Sequence, residues 1–463
     1  MPTLLQSISY LALVLASFSP LSVWGFDNTR NDNVAVYWGQ NSFGATNPSD
    51  TANWQKTLSF YCQDNSIDAF PLAFLDVAFG TGGLPSINLA NICNDSDDPV
   101  FPGTDLPNCS FLASDIQTCQ AKGKIVTISI GGATGAVSFT SDSQAQQFAD
   151  TIWNLFLGGS SSTRPFGSAV LDGVDLDLEG GSPSHWPAFV TQIRSHASGA
   201  SKKYYITGAP QCPFPDAFLG SVLNSVGFDA IYVQFYNNFC GLQAFTNPNA
   251  WNFAQWDNWA KTVSPNRNVK IYIGAPAAPQ AAGSGYVSAS TLASDALQTR
   301  SQFSSFGGVM LWDASQAHAN GNFAAAIKSA LSNGGAPVPT TSVPPTSTTH
   351  VPPTSTTSSP SPSPSSGSCG TVSAWVSTIA YVGGDQAVFG YASSRLHCAK
   401  LTTPLSGHLW TAKWWNFDET PGGASGAWQD NGLCGSSLVG KTNHRTTSET
   451  PKLKQRSRIY GRE

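Results

Sequence analysis

The amino-acid sequence predicts an α/β protein, a (β/α)8 TIM barrel, followed by a Ser/Thr/Pro-rich linker and a small β-rich module. Eight short β-like runs alternate with longer segments over roughly 300 residues, the number and length typical of such a barrel. A stretch with almost no residues to bury then separates this region from a short aromatic part bracketed by cysteines. These observations divide the chain into a large domain, 26–333, and a small one, 369–434.

The predicted strands are short runs rich in β-branched and aromatic residues, with turn residues around them. In chain order they are 34–38, 69–75, 125–130, 173–178, 204–207, 231–235, 269–273 and 308–311. The segments between them include helix-like patterns at 143–156, 187–196 and 289–301. Strand and helix patterns that alternate in this way favour a parallel sheet closed into a barrel.

Residues 1–25 have the features of a secretory signal peptide. Their apolar stretch is too short to span a bilayer and is followed by small residues. Secretion would place the nine cysteines in an oxidising compartment, where disulfides form. It would also make the sequons at Asn94 and Asn108 candidates for glycosylation.

The charge distribution excludes several kinds of partner. Residues 435–463, a basic polar tail, hold seven Lys/Arg and two Glu, so the rest of the chain has 16 bases and 26 acids, a net charge of −10. An acidic body argues against binding to nucleic acid or to an anionic membrane, whereas a neutral polymer is compatible with it. Histidine is scarce and no cysteine pair has zinc-finger spacing, so we do not expect a metal site.

The stretch LDGVDLDLEGG at 171–181 concentrates acids in a chain that is 11% charged. Because side chains alternate along a strand, Asp175, Asp177 and Glu179 share one face and Asp172 points the other way. Glu179 comes last, at the carboxyl end of the strand, where barrels of this type carry active sites. Neighbouring carboxylates push their pKa values apart, which provides a proton donor for cleaving a glycosidic bond. A calcium site or a solvated acidic turn is the alternative interpretation.

The stretch from Asp172 to Glu179 resembles the DGxDxDxE signature of glycoside hydrolase family 18. Further motifs are similar to the plant-type, class III chitinases that fungi also make, and they cover about residues 30–333. These motifs are YWGQN at 37–41, SIGG at 129–132, APQCPFPD at 209–216, VQFYNN at 233–238 and GGVMLW at 307–312.

The resemblance implies a retaining mechanism in which the substrate assists its own cleavage and no metal or cofactor is required. Glu179 would protonate the leaving oxygen while the substrate's 2-acetamido oxygen attacks the anomeric carbon. Asp177 would orient the acetamido nitrogen, Tyr236 would hydrogen-bond the acetamido oxygen, and Asp175 would tune Asp177 from behind.

The same resemblance implies a sugar groove and a set of disulfides. Trp312 would form the floor under one sugar, with a core role as the alternative. The side chains expected to line the groove, any of which could instead be structural, are Tyr37, Gln40, Asn41, Gln211, Gln234 and Asn237. The pairings implied for the barrel are Cys62–Cys119, Cys93–Cys109 and Cys212–Cys240.

Residues 334–368 form the predicted linker, because they repeat VPPTSTT and contain little to bury.

Residues 369–434 resemble the chitin-binding modules of carbohydrate-binding families 5 and 12, with a disulfide expected between Cys369 and Cys434. The side chains of this segment that could stack on sugar rings are Trp410, Trp414, Trp415 and Trp428, although all four could be core residues. Residues 391–406 interrupt the family pattern, so this insertion and the basic tail are either genuine loops or translated non-coding sequence.

Taken together, the sequence predicts a secreted, monomeric endo-chitinase that acts on chitin and chitin oligosaccharides. An endo-β-N-acetylglucosaminidase acting on N-glycans is one alternative. A non-catalytic lectin or inhibitor on the same barrel is another, although such proteins usually lose the acids that this chain retains.

Overall fold

The computed structural model describes residues 25–333, except Ala136, and the short C-terminal stretches 380–381, 386–389, 408–412, 416–417, 421 and 428–433. The first range forms a closed barrel of eight parallel strands, in which each strand pairs with the next in the chain and the eighth pairs with the first. The strands are β1 Asn33–Val36, β2 Ala69–Leu75, β3 Ile125–Gly132, β4 Gly173–Leu178, β5 Tyr205–Gly208, β6 Ala230–Gln234, β7 Lys270–Pro276 and β8 Phe306–Trp312.

Helices cover the outside of the barrel. They are α1 Ser42–Thr46, α2 Leu58–Cys62, α3 Ala113–Ala121, α4 Asp142–Phe156, α5 Trp186–Ala197, α6 Gly220–Ser225, α7 Phe253–Thr262, α8 Ala289–Gln302, α9 Ala314–Ala319 and α10 Phe323–Ser332. Several begin at a polar cap; for example, Ser141 Oγ accepts a hydrogen bond from the backbone N–H of Gln144 at the start of α4. No helix within the described ranges is long and apolar enough to cross a membrane.

The strands are buried on both faces, as expected for parallel strands covered by helices on one side. Aliphatic side chains such as Val34 and Val36 point outward and pack under the helices. The interior of the barrel is filled differently, with small alanines and large aromatics that include Tyr232 and Tyr272. This division explains why the runs read as largely apolar stretches, apart from the two aspartates of β4. All eight predicted strands overlap the observed ones.

Three disulfides link the loops around the barrel: Cys62–Cys119, Cys93–Cys109 and Cys212–Cys240. All three pairings implied by the family resemblance are therefore confirmed. The first joins α2 to α3, and the last joins the segment after β5 to the segment after β6.

The described C-terminal residues form antiparallel strands. Strands β10 Gln386–Phe389, β11 His408–Ala412 and β13 Trp428–Leu433 make one sheet, and β9 Ala380–Tyr381 pairs with β12 Asn416–Phe417. The predicted signal peptide (except Gly25), linker, 391–406 insertion and basic tail lie outside the described residues, as do Trp414, Trp415 and the expected Cys369–Cys434 bond.

Candidate active site

The acids of the LDGVDLDLEGG stretch lie on β4 and just beyond its carboxyl end. Asp175 is fully buried, Asp177 is 3% exposed, and Glu179 is half-buried. The carboxylates therefore become more accessible toward the mouth of the barrel, as expected for side chains on one face of a strand. Asp172 is separate from them, because it accepts hydrogen bonds from the Val126 backbone and the Gln120 side chain near the other end of β4.

Asp175 is held by three hydroxyl groups inside the barrel. Tyr37 Oη and Ser129 Oγ donate to its Oδ2 atom at 2.6 Å and 2.7 Å, and Thr207 Oγ1 donates to its Oδ1 atom at 2.6 Å. Burial raises the pKa of Asp175, although these three hydrogen bonds act in the opposite direction. Both oxygens are thus occupied by protein donors, which suits Asp175 to support its neighbours rather than to contact a substrate.

The amide of Gln234 connects the two other acids. Its Nε2 atom lies 2.9 Å from Asp177 Oδ1 and 3.3 Å from Glu179 Oε1, and it also donates to the backbone oxygen of Ala209 at 3.0 Å. Gln234 is buried at the end of β6. The sequence analysis expected it in the sugar groove, whereas the structure places it between Asp177 and Glu179, where it fixes their relative position.

Asp177 and Glu179 share a setting that disfavours two charges. Burial raises the pKa of Asp177 well above its ordinary value, and the negative charges of Glu179, Asp175 and Asp216 raise it further. Burial also raises the pKa of Glu179, and the charge of Asp216 adds to that effect. The pair therefore retains a proton at pH values where exposed carboxyls have lost theirs.

Asp216 is an acid to which the sequence analysis gave no role, although it ends the APQCPFPD motif. Its carboxylate accepts hydrogen bonds from the backbone N–H groups of Gln211, Phe218 and Leu219. Burial nevertheless raises the pKa of Asp216 to about 6. Gln211 forms a β-bridge with Gln234, so Asp216 also anchors the loop that lies against the acid-bridging glutamine. Only its position in a proline-rich loop after a strand could have suggested such a role.

Tyr236 lies two residues beyond β6 and is buried, with 7% of its surface exposed. Burial raises the pKa of its phenol well above the ordinary value, and the charges of Asp177 and Glu179 act in the same direction. Its hydroxyl forms no hydrogen bond with any residue that the structure describes. Tyr236 therefore presents a protonated donor whose titration is coupled to the two acids.

Trp312, at the end of β8, belongs to an aromatic cluster. Its ring is stacked against Phe74 at a centroid distance of 5.9 Å and is tilted against Tyr37 at 5.6 Å. Trp312 remains half-buried, so part of its surface is accessible. The sequence analysis did not identify Phe74, because nothing distinguishes it from the other apolar residues of β2.

Several residues expected in the groove have structural contacts instead. Tyr37 is 1% exposed, and its hydroxyl donates to Asp175. Asn41 is buried and caps α1, where its side-chain oxygen accepts from the backbone N–H groups of Gly44 and Gln55. Both side chains are thus already occupied inside the fold, and a role of either in the groove stays a prediction.

The remaining amides are partly accessible but also hold loops. Gln40 donates to the backbone oxygens of Ala73 and Asn88. Asn237 accepts from the backbone N–H groups of Gly283 and Ser284. Gln211 accepts from the Asn238 side chain. Each of these residues is half-buried and keeps part of its surface accessible.

Residues 33–298 match the family described as Glycosyl hydrolases family 18. The chain belongs to this family. Its curated relatives include "Chitinase 2" of Rhizopus oligosporus, which is 49% identical over 326 residues. That alignment covers 70% of this chain and 56% of the Rhizopus protein, so the match spans little more than half of the relative.

The solved structures similar to this family 18 barrel include proteins described as a chitinase and as an inhibitor. The ICChI chitinase from Ipomoea carnea is 33% identical with a TM-score of 0.54, and it matches 64% of this chain and 99% of its own. The xylanase and alpha-amylase inhibitor protein XAIP-II from Scadoxus multiflorus is 32% identical with a TM-score of 0.53, and the shares covered are 64% and 97%. Since a chitinase and an inhibitor match almost equally well, the side chains of the site must decide between the two activities.

Proposed function

We propose that the protein is a secreted endo-chitinase that cleaves β-1,4 bonds between N-acetylglucosamine units with retention of configuration. The observation that carries this proposal is the pair of Asp177 and Glu179, bridged by Gln234 at the mouth of the barrel. The pair keeps a proton because burial raises the pKa of both groups. A retained proton beside an ionised carboxylate is what acid-assisted cleavage of a glycosidic bond requires.

In the proposed first step, Glu179 donates its proton to the oxygen of the bond that breaks. The 2-acetamido oxygen of the substrate attacks the anomeric carbon and forms a cyclic oxazolinium ion, while the sugar chain beyond the bond departs as an alcohol. Asp177 holds and charge-stabilises the acetamido nitrogen, and Tyr236 donates a hydrogen bond to the acetamido oxygen. Glu179 then takes a proton from water, which attacks the anomeric carbon and opens the ring with net retention.

The buried residues supply the fixed surroundings that this chemistry needs. Asp175 lies behind Asp177 and is locked by three hydroxyl donors, so the charge distribution of β4 is in place before a substrate arrives. Trp312 provides an aromatic surface close to Tyr37 for one sugar ring. These steps use side chains of the protein, the substrate's own acetamido group and one water molecule.

The acids also argue against a lectin or inhibitor role. The fold alone does not separate these functions, whereas a protein that only binds sugar has no need for a buried and a half-buried carboxyl group that repel each other when both are charged. Their burial and repulsion destabilise the fold, and a proton donor gives a reason to keep them.

An assay on two substrates tests the proposal. We expect soluble N-acetylglucosamine oligomers and chitin to be cleaved, with oligomers of several lengths among the first products. A high-mannose glycoprotein should not be cleaved. Release of its glycan without turnover of chitin oligomers would establish the endo-β-N-acetylglucosaminidase alternative, and no turnover of either substrate would favour the lectin.

For the C-terminal part we propose a chitin-binding module joined by the 334–368 linker, on a chain that is secreted and monomeric. Support comes from the antiparallel strands β10, β11 and β13 and from the half-buried Trp410 on β11. Trp428 is only 5% exposed, so we now assign it to packing and not to stacking on sugar. The proposed stacking residues are Trp410, Trp414 and Trp415.

A further inference from the structure

Two N-glycosylation sequons flank one disulfide of the barrel. Asn94 follows Cys93 and begins the sequon Asn-Asp-Ser, and Asn108 precedes Cys109 and begins the sequon Asn-Cys-Ser. The Cys93–Cys109 bond closes the loop between them. The sequence motif does not distinguish the two sites, because each has an asparagine followed two positions later by serine.

The two sites differ in the exposure of the asparagine. Asn94 is only 8% exposed. Both hydrogens of its amide are in use, because Nδ2 donates to the Ala90 backbone oxygen at 3.0 Å and to Asp97 Oδ2 at 2.9 Å. Its Oδ1 atom accepts from the backbone N–H groups of Ser96 and Asp97. A sugar on Nδ2 would replace one of these hydrogens and would have to occupy space that the fold has filled.

Asn108 has the opposite setting. Its side chain is exposed, and its Oδ1 atom accepts from the backbone N–H of Ser110 at 3.2 Å. Nδ2 donates to no residue within the part of the chain that the structure describes. The backbone is fixed nonetheless, because the Asn108 N–H donates to the Pro99 oxygen at 2.7 Å. The attachment atom therefore projects from a defined loop into open space.

We propose that Asn108, and not Asn94, carries an N-linked oligosaccharide in the mature protein. In the transfer, Nδ2 of Asn108 forms a bond to the anomeric carbon of the first N-acetylglucosamine, and that carbon loses its bond to the pyrophosphate of a lipid-linked donor. Nδ2 loses one proton, and the lipid pyrophosphate leaves with the electron pair. A chain modified at Asn94 before folding could not form the turn around that residue.

The proposal rests on passage through a secretory pathway, so the experiment separates the two questions. The protein is expressed in a eukaryotic host, once with its own residues 1–25 and once with residues 26–463 behind a leader known to work in that host. Glycans are removed with peptide N-glycosidase in ¹⁸O water, which converts each occupied asparagine into labelled aspartate. Peptide mass spectrometry then reads positions 94 and 108 separately.

We expect label at position 108 and none at position 94 when the host leader is used. Ser110→Ala removes the second sequon and should abolish the label, whereas Ser96→Ala is the matched control and should leave it unchanged. Both serines are exposed, so neither substitution disturbs packing. Label at position 94 in secreted protein, or none at position 108, would overturn the proposal. Failure of secretion with the native residues 1–25 alone would instead contradict the proposed localisation.

Discussion

Tyr37 and Asp175 are 138 residues apart in the sequence, and the hydroxyl of the first donates a 2.6 Å hydrogen bond to the carboxylate of the second inside the barrel. Tyr37 follows β1 and Asp175 lies on β4, so this bond crosses the interior and ties the acidic strand to the start of the barrel. This hydrogen bond to an acid of the proposed active site therefore depends on the closed barrel.

Replacing Tyr37 by Phe removes this donor and leaves Asp175 with two hydroxyl partners. We expect the pKa of Asp175 to rise further and kcat to fall on the order of 10-fold, because each 1.4 kcal/mol changes a rate tenfold. KM should change little, since Tyr37 is only 1% exposed. Tyr286→Phe is the matched control, because it loses one neutral hydrogen bond with Asn320. Equal kcat values for Tyr37→Phe and wild type would contradict the role given to the bond.

Glu179→Gln preserves the shape of the side chain but cannot donate the catalytic proton. We expect turnover of an unactivated chitin oligomer to fall about 10²–10⁴-fold. Binding of the oligomer, measured by calorimetry, should persist because the aromatic surface is unchanged. Asp142→Asn, a change at an exposed acid paired with His185, should leave turnover intact. Near wild-type turnover by Glu179→Gln would remove Glu179 from the mechanism.

If the acetamido group is the nucleophile, Asp177→Asn and Tyr236→Phe should both slow cleavage of N-acetylated oligomers. A thiazoline that mimics the oxazolinium ion should inhibit competitively, and each substitution should weaken its binding. Intact-protein mass spectrometry during turnover should detect no covalent sugar adduct. A sugar ester trapped on Asp177 would establish a conventional two-carboxylate mechanism instead.

The alkaline side of the pH–activity profile reports loss of the proton from Glu179, whose pKa is raised by burial and by the charge of Asp216. Activity should fall as pH rises through that pKa. Asp216 itself has a pKa of about 6, so it is charged above this pH and raises the proton affinity of Glu179 there. Asp216→Asn should therefore move the alkaline limb to lower pH, and Asp142→Asn should not. If the alkaline limb of a folded Asp216→Asn protein stays at the same pH or moves to higher pH, this coupling is contradicted.

A protein truncated after Asn333 should cleave soluble oligomers as fast as the full chain, because every residue of the proposed mechanism precedes that point. On insoluble chitin the truncated protein should be slower, since tethering by a second binding domain raises the local concentration of enzyme at the surface. Trp414→Ala with Trp415→Ala should reproduce the loss. If the 391–406 insertion disables the module, both forms will act alike on solid chitin, and deleting the insertion should restore the difference. Failure of the module to bind a chitin column with or without the insertion would exclude the binding role.

The strands and the acidic face could be predicted because both depend on local pattern. The runs 69–75 and 173–178 coincide with β2 and β4. The first reads as a short apolar stretch because barrel strands are buried on both sides, and in the second two aspartates alternate with apolar residues. The shared face of Asp175 and Asp177 follows from the two-residue period of a strand. The three disulfides of the barrel followed from resemblance alone.

The partners of the acids could not be predicted in the same way. Gln234 and Asp177 are 57 residues apart, and their contact arises only when β4 and β6 point into one closed barrel. The contacts of Asn41 and Asn237 were not predicted either, because both residues adopt a left-handed backbone conformation in which their amides hold nearby loops. Such contacts depend on the three-dimensional path of the chain and leave little trace in the spacing of residues.

The pairing of β1 with β8 has a consequence during synthesis. Val34 lies opposite Val309 in this seam, so β1 stays without one of its two neighbours until almost the entire barrel has left the ribosome. Tyr37, which follows β1, cannot be fixed against Asp175 before that moment. From the addition of Asp216 until β8 is made, beginning at Phe306, a growing chain would thus carry all the acids of the site without the barrel that orients them. The last strand of the barrel therefore determines when the acids of the proposed site can be oriented, which is after residue 312 of the 463 has been added.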